Sequence, residues 1–168
     1  MIFPVATAAI STAINPSAAF ALLADPKSGD AALKAGKTVG IVEAKKRFTL
    51  AIKDIDELLD NYAEISTSGG DNVRLYLGTV GTKSHMYGIT KILKELREEA
   101  DDVIDFTETA NEVEAYLFQA EGAAYQSLFV GGSSAKGTPE SLLATAKKDV
   151  ISMRKLMGDL AIQLNLDV

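Results

Sequence analysis

The sequence predicts an all-α fold, an up-down-up-down four-helix bundle with an interrupted second helix and an irregular N-terminal leader. Apolar residues recur every three or four positions through successive segments, which is the spacing of one helical face. Glycine- and serine-rich stretches separate these segments, and their shortness favours antiparallel neighbours. We therefore divide the chain into a transport signal (residues 1–21), a leader (22–41) and a bundle domain (42–168).

The N-terminal segment is apolar, and residues 1–24 carry no charged side chain. Ala19 and Ala21 have the small side chains and the spacing that a signal peptidase recognises. We interpret residues 1–21 as the apolar core and cleavage region of a transport signal, although the usual basic n-region is missing. An ordered N-terminal arm is a second interpretation. A membrane span is the third, and two prolines within the segment weaken it.

The first long helix is predicted over residues 42–65 and ends at a serine- and glycine-rich stretch. Polar and charged side chains occupy the face opposite its apolar stripe. The basic run Lys45-Lys46-Arg47 lies in its first turns, where it is either solvated or available to an acidic partner. The predicted stripe consists of Phe48, Ala51, Ile52, Ile55, Leu58, Leu59, Tyr62 and Ile65.

The second element is predicted to be broken. Asp71 and Asn72 are expected to cap a short helix, which Gly78 and Gly81 then interrupt. His85 follows in this glycine-rich stretch and is expected to be a surface loop residue. The second piece continues to a strongly acidic end, and its inward side chains are Ile89, Ile92, Leu93 and Leu96.

The last two helices have clear start signals. Asp105 and Glu108 have the spacing of a capping box, which predicts the start of the third helix. Gly122, among alanines, predicts a surface that a neighbouring helix approaches closely. Thr138 and Pro139 fit the N-cap and first position of the fourth helix. The two stripes are Ala110, Val113, Leu117, Ala120, Ala124 and Leu128, and then Leu143, Ala146, Val150, Met153, Met157, Leu160 and Leu164.

Composition excludes several classes of function. The net charge of −6 and pI near 4.8 disfavour nucleic acid, since phosphates require clustered lysine and arginine. The absence of cysteine excludes thiol chemistry, and a single histidine disfavours a serine triad and haem ligation. The acidic residues Glu95, Glu98, Glu99 and Asp102 are candidates for weak calcium binding, but a solvated face is the favoured interpretation. We predict no catalytic residue, cofactor, metal site or small-molecule substrate.

Several motifs resemble the lumenal extrinsic proteins of photosystem II, in particular the PsbQ-like four-helix type of diatoms and related algae. The resemblance extends over roughly residues 42–166, and the glycine-rich motif is its most specific part. The matching segments are Lys46-Arg47-Phe48, Asp56-Glu57-Leu58-Leu59, Gly69-Gly70-Asp71-Asn72-Val73-Arg74-x-Tyr76-Leu77-Gly78-Thr79-Val80-Gly81, Ala123-Ala124-Tyr125-Gln126-Ser127, and the closing helix from Pro139 to Leu166.

The resemblance implies a non-catalytic subunit in the chloroplast thylakoid lumen, peripheral on the lumenal face of the membrane. Its partners would be the photosystem II core and other extrinsic subunits. There it would stabilise and shield the manganese-calcium cluster and support calcium and chloride retention. Two alternatives stay open. The first is a lumenal structural or linker subunit of a photosystem I or antenna complex, and the second is a small-ligand-binding helical bundle.

Docking is predicted to use the uncovered loop around the glycine-rich motif together with the basic run. Loop backbone offers free N–H and C=O groups to a partner, and basic side chains suit acidic lumenal loops. Such contacts weaken with salt. The alternative is that the motif only caps a helix and the basic run is solvated. The predicted docking residues are Lys45, Lys46, Arg47, Asp71, Asn72 and Arg74.

Overall fold

A computed structural model describes residues 30–130 and 137–168, and within them the secondary structure is helical, without a β-strand. The all-α prediction is confirmed. The predicted transport signal and the first part of the leader lie outside the described residues. The helices are α1 (Asp30–Lys34), α2 (Ile41–Asp60), α3 (Tyr62–Thr67), α4 (Gly70–Tyr76), α5 (Ile89–Leu96), a 3₁₀ turn (Arg97–Glu99), α6 (Val103–Gln126) and α7 (Pro139–Gln163).

The N-terminus of α2 is capped by a side chain from a distant segment. The Glu95 carboxylate accepts from the backbone N–H groups of Val39, at 3.0 Å, and Gly40, at 2.6 Å. A negative charge here also complements the helix dipole. This contact fixes the start of α2 against α5. The predicted stripe is largely buried, with Phe48, Ala51, Ile52, Ile55 and Leu58 in the core and Leu59 half-buried at its edge.

The first helix ends earlier than predicted, at Asp60 instead of residue 65. Asn61 leaves helical geometry, with φ −108° and ψ 17°, and both its backbone N–H and its side-chain Nδ2 donate to Glu57 O. Such local side-chain bonding competes with the regular helical ladder. The chain then continues as α3, which is tied to α7 because the Tyr62 hydroxyl donates to Leu143 O at 2.7 Å.

The predicted interruption of the second element is present. Helix α4 ends at Tyr76 and α5 begins at Ile89, with a non-helical segment, residues 77–88, between them. Gly88, at φ 75°, occupies the left-handed conformation immediately before α5. A side chain at that position would be strained, so glycine is required for this helix start.

The third long helix begins at Val103, and the predicted capping box at Asp105 is wrong. The N-cap is Asp102, whose Oδ1 accepts from the N–H groups of Ile104, at 2.9 Å, and Asp105, at 3.1 Å. Asp105 instead accepts from Gln163 Nε2 at 2.6 Å. Its carboxylate therefore links the start of α6 to the end of α7.

The predicted start of the last helix is confirmed. Thr138 is the N-cap, Pro139 follows it, and Ser141 completes a capping box through reciprocal bonds of 3.2 and 2.9 Å with Thr138. Helix α7 packs along α6 and also against α2, while α5 packs on α2 and α4 on α6. The predicted stripe residues from Ala146 to Leu164 are buried and close the core, and Leu143, the first residue of the stripe, is half-buried.

Among the described residues, none of the helices combines the length and hydropathy that crossing a membrane requires.

Candidate docking site

The three basic residues predicted for docking have different surroundings. Lys46 is exposed, and Lys45 Nζ lies 3.1 Å from Glu99 Oε2. Arg47 is only 2% exposed, and its Nη2 donates to Tyr87 O at 3.1 Å. The interpretation of a solvated run is therefore wrong for Arg47, whose guanidinium holds the segment before α5. The sequence spacing already indicated that Arg47 lies on the buried face, because it comes three residues after buried Ala44 and four before buried Ala51.

The glycine-motif half of the predicted site lies on α4. Its N-cap is Gly69, so the expectation that Asp71 and Asn72 cap the helix is wrong. Arg74 donates from Nη1 to Asp71 Oδ1 at 2.7 Å and from Nε to Glu121 Oε1 at 3.0 Å. The Arg74 guanidinium also lies 4.7 Å from the ring centre of Tyr125, a cation–π arrangement. These contacts attach α4 to α6.

The structure does not bring the two halves of the predicted site together. Lys45 lies near the start of α2, and Glu57 is twelve residues further along it, about 18 Å away at 1.5 Å per residue. The Tyr76 hydroxyl, at the end of α4, donates to Glu57 Oε1 at 3.2 Å. A partner that contacts both halves therefore has to extend along most of the length of α2.

Two motif glycines are required by close packing. A Cβ on Gly70 would clash with Ala124 O on α6. A Cβ on Gly78 would clash with the Tyr87 backbone, and Gly78 also has φ +68°. The motif is therefore a packing element, whatever else it does. The predicted close approach to the small residues around Gly122 is present at Ala124, but not at Gly122 itself, where a Cβ would meet no atom of residues 30–130 and 137–168 within 4 Å.

The segment 77–88 is anchored to α2 by one buried carboxylate. Asp54 Oδ2 accepts from the backbone N–H of His85 at 2.6 Å and lies 3.0 Å from His85 Nδ1 and 3.1 Å from Ser84 Oγ. A carboxylate oxygen only accepts, so the His85 ring donates from Nδ1. His85 is 5% exposed, and the prediction of a surface histidine is therefore wrong. The segment folds back on α2, a tertiary event that local sequence does not report.

Serine, histidine and aspartate side chains here do not form a catalytic triad. In a triad the serine hydroxyl donates to the imidazole and the carboxylate holds the other ring nitrogen. Here the Ser84 hydroxyl and the His85 ring both lie on the same Asp54 oxygen. Ser84 Oγ also lies 2.6 Å from Tyr76 O and accepts from Met86 N–H at 3.1 Å. The cluster satisfies the buried polar groups of the segment and holds it in place.

The polar network continues to Glu57 and Tyr76. Burial raises the pKa of Glu57, with the nearby Asp54 adding to this and the Tyr76 hydrogen bond opposing it. Burial also raises the pKa of Tyr76, and the Glu57 carboxylate beside its hydroxyl raises it further. The neutral phenol is therefore the form that this packing stabilises.

Several acidic residues considered for calcium have partners within the chain. Glu95 caps α2, Glu99 pairs with Lys45, and Asp102 caps α6. Across residues 30–130 and 137–168, no three histidine or acidic side chains are grouped so that they could hold a metal ion.

Comparison with protein-family profiles, curated proteins and solved structures finds no match to this chain.

Proposed function

We propose that this chain is a non-catalytic extrinsic subunit of photosystem II in the chloroplast thylakoid lumen, peripheral to the membrane. In this proposal it covers the lumenal surface over the oxygen-evolving centre, stabilises and shields the manganese-calcium cluster, and supports calcium and chloride retention. Its partners are the photosystem II core and other extrinsic subunits, and it carries no cofactor of its own.

One observation carries the proposal: two motifs that resemble the PsbQ-like family, far apart in sequence, contact each other directly. Gly70 lies against Ala124 O, and Arg74 pairs with Glu121 and covers Tyr125. The most specific part of the resemblance therefore belongs to one packed unit.

The same proposal includes the up-down-up-down four-helix bundle. In this arrangement α2 with α3 is the first helix, α4 and α5 form the interrupted second, and α6 and α7 are the third and fourth. The packing of α6 along α7, of α2 on α5 and α7, and of α4 on α6 supports it. An Arg154–Asp56 pair, with bonds of 2.6 and 2.9 Å, joins α7 to α2, the fourth helix to the first.

Location is the first test. Thylakoids solubilised in mild detergent are separated by density gradient, and each complex is probed for the chain with an antibody. We expect the chain in the photosystem II fraction and its loss after a high-salt wash, because exposed charge contacts are screened by salt. Recovery with photosystem I or an antenna complex would contradict the proposal and favour the alternative of a linker subunit there.

Docking is the second test, and the structure changes its design. Reversing the charge of buried Arg47 would disturb folding, so the variant is Lys45→Glu with Lys46→Glu. We expect reduced rebinding to salt-washed photosystem II with little change in melting temperature. The matched control is Lys148→Glu with Lys155→Glu, two exposed lysines of α7. Equal rebinding of both double variants would exclude the Lys45 surface.

A further inference from the structure

The outward face of α6 carries an exposed aromatic stripe. Phe118 is 65% exposed, Tyr125 is 45% exposed, and Phe129, just after the helix, is 67% exposed. Their spacing of seven and four residues places them on one face. The Tyr125 and Phe129 rings meet edge to face, with centroids 4.9 Å apart. Ile104, 73% exposed, lies on the same side near the start of the helix, separated from Phe118 by the exposed Asn111. Apolar exposure like that of Phe118, Tyr125 and Phe129 marks an interaction surface.

Carboxylates border this stripe on both sides. Helical spacing puts Glu108 and Glu112 along one edge and Glu114 and Glu121 along the other. Helix α6 contains no lysine or arginine. Glu121 is paired with Arg74, whose guanidinium also lies over Tyr125. Glu114 lines a groove together with Lys94 of α5 and the adjacent Arg97. The surface is therefore apolar along its centre and negative along the edge that carries the exposed Glu108 and Glu112.

Gly122 lies in the middle of the stripe. In the part of the chain that the structure describes, a Cβ there would meet nothing within 4 Å, so packing against these residues does not require glycine. Glycine inside a helix is nevertheless unfavourable relative to alanine. It leaves a shallow gap between Phe118 and Tyr125 through which another backbone can approach α6 closely.

We propose that this face binds a basic amphipathic helix of a partner protein. Apolar side chains of that helix lie on Phe118, Tyr125 and Phe129, and its lysines or arginines face Glu108 and Glu112. The chemistry follows the helix-in-groove mode of recognition, in which apolar anchors give affinity and charges fix orientation. This inference does not rest on the proposed photosystem role.

Charge decides between this occupant and two others. Antiparallel symmetric pairing of two copies through α6 would place the Glu108 and Glu112 edge of one copy against the same edge of the other, and like charges across an interface are unfavourable. A lipid surface with anionic headgroups would be repelled by this edge for the same reason. A partner that is both basic and apolar matches the apolar centre and the acidic edge together.

The experiment uses a fluorescein-labelled peptide of leucine and lysine, about 18 residues or five helical turns long, with the full chain. Binding is measured by anisotropy at several salt concentrations. We expect binding of this peptide, and loss of binding when its lysines are replaced by glutamate or its leucines by serine. Equal binding of the serine peptide would mean that attraction is only electrostatic and would overturn the proposal.

Protein variants then locate the surface. Phe118→Ser with Phe129→Ser should weaken binding at least about tenfold. The matched control, Val42→Ser with Ile151→Ser, removes exposed apolar side chains elsewhere and should leave binding unchanged. Glu108→Gln with Glu112→Gln should reduce the salt dependence, whereas Asp60→Asn with Asp159→Asn should not. Equal effects of variants and controls would overturn the proposal.

Gly122→Ala separates docking from folding. It should raise the melting temperature of the chain and weaken peptide binding, because the added methyl group fills the gap. A stabilised variant that binds as tightly as the original chain would contradict close approach at this face. A dimer on size exclusion that Phe118→Ser with Phe129→Ser abolishes would identify a second copy as the occupant and overturn the proposal.

Discussion

The two sides of α6 show how the same residue types serve different purposes. On the inner side Leu117 is 6% exposed and Gly70 of α4 lies against Ala124 O. Neighbouring helices therefore restrict the size of the side chain at Leu117 and the distance between the α4 and α6 backbones. On the outer side Phe118 is exposed and Gly122 has open space around it. The residue type alone therefore does not show whether an apolar residue or a glycine packs against a neighbouring helix. The side of the helix on which the residue lies decides this.

The largest difference is expected between Leu117 and Phe118, which are adjacent in sequence and lie on opposite sides. Leu117→Ala should lower the free energy of unfolding by about 2–5 kcal/mol, since it leaves a cavity in the core. Phe118→Ala should change it by about 0.5 kcal/mol or less, as an exposed substitution. Urea denaturation followed by circular dichroism measures both. Equal effects would mean that the buried and exposed sides of α6 are wrongly assigned.

The segment 77–88 depends on polar anchoring, unlike the apolar face of α6. Asp54→Ala should destabilise the fold by about 3 kcal/mol, the upper part of the range for one orphaned donor, because the His85 backbone N–H and the His85 ring lose their acceptor together, whereas Ser84 keeps Tyr76 O. Hydrogen exchange should speed up first at the His85 amide. Asp60→Ala, at an exposed position of the same helix, is the control, and equal loss in both variants would contradict the anchoring role.

A smaller loss of unfolding free energy is expected from a substitution where α4 meets the inner side of α6. Gly70→Ala should destabilise by about 1–3 kcal/mol, because its Cβ has to displace backbone at Ala124. The near-ultraviolet circular dichroism of Tyr125, which lies under Arg74, should change as α4 moves. An unfolding free energy equal to that of the original chain would show that α4 is not packed against α6 in this way.

The helices themselves were largely predictable, because α2, α6 and α7 each repeat apolar residues at helical spacing. Thr138 and Pro139 also predicted a helix start correctly, since N-cap chemistry is local. Asn61 and Asp102 were missed, although both act through local side-chain bonds. In each case a competing signal nearby, the continuing stripe or the Asp105 pattern, favoured a different boundary.

The surroundings of the candidate site were harder to predict. The burial of His85 depends on a segment that folds back thirty-one residues to Asp54, which periodicity does not report. Gly122 is different, because it lies two positions from both Ala120 and Ala124. That spacing places Gly122 on the other side of the helix from the buried alanines, so the sequence alone was enough to predict its outward position. The predicted docking residues stay a prediction, although Arg47 now has a packing role.

Alkaline pH tests the buried end of α4 against the exposed face of α6. Burial raises the pKa of Tyr76, so the folded state holds this proton more tightly than the unfolded state does. The stability that this provides is complete below the unfolded pKa of about 10 and is lost as pH rises above it. Tyr76→Phe should therefore lose less stability than the original chain between about pH 9 and 12. Tyr125→Phe, on the exposed face, is the control. An equally reduced loss of stability with rising pH in both variants would contradict a specific role for Tyr76.

The smallest effect has the opposite sign. Gly122→Ala should raise the free energy of unfolding by about 0.5–1 kcal/mol, because alanine loses less backbone entropy in a helix and its methyl group meets no neighbour. Gly158→Ala on α7 is a matched control, since a Cβ there would lie 3.3 Å from the Arg154 side chain and part of the gain should be lost. Urea denaturation of the three proteins measures the difference. If Gly122→Ala were instead destabilising, α6 would be packed on both sides, and the outer face could not be a free docking surface.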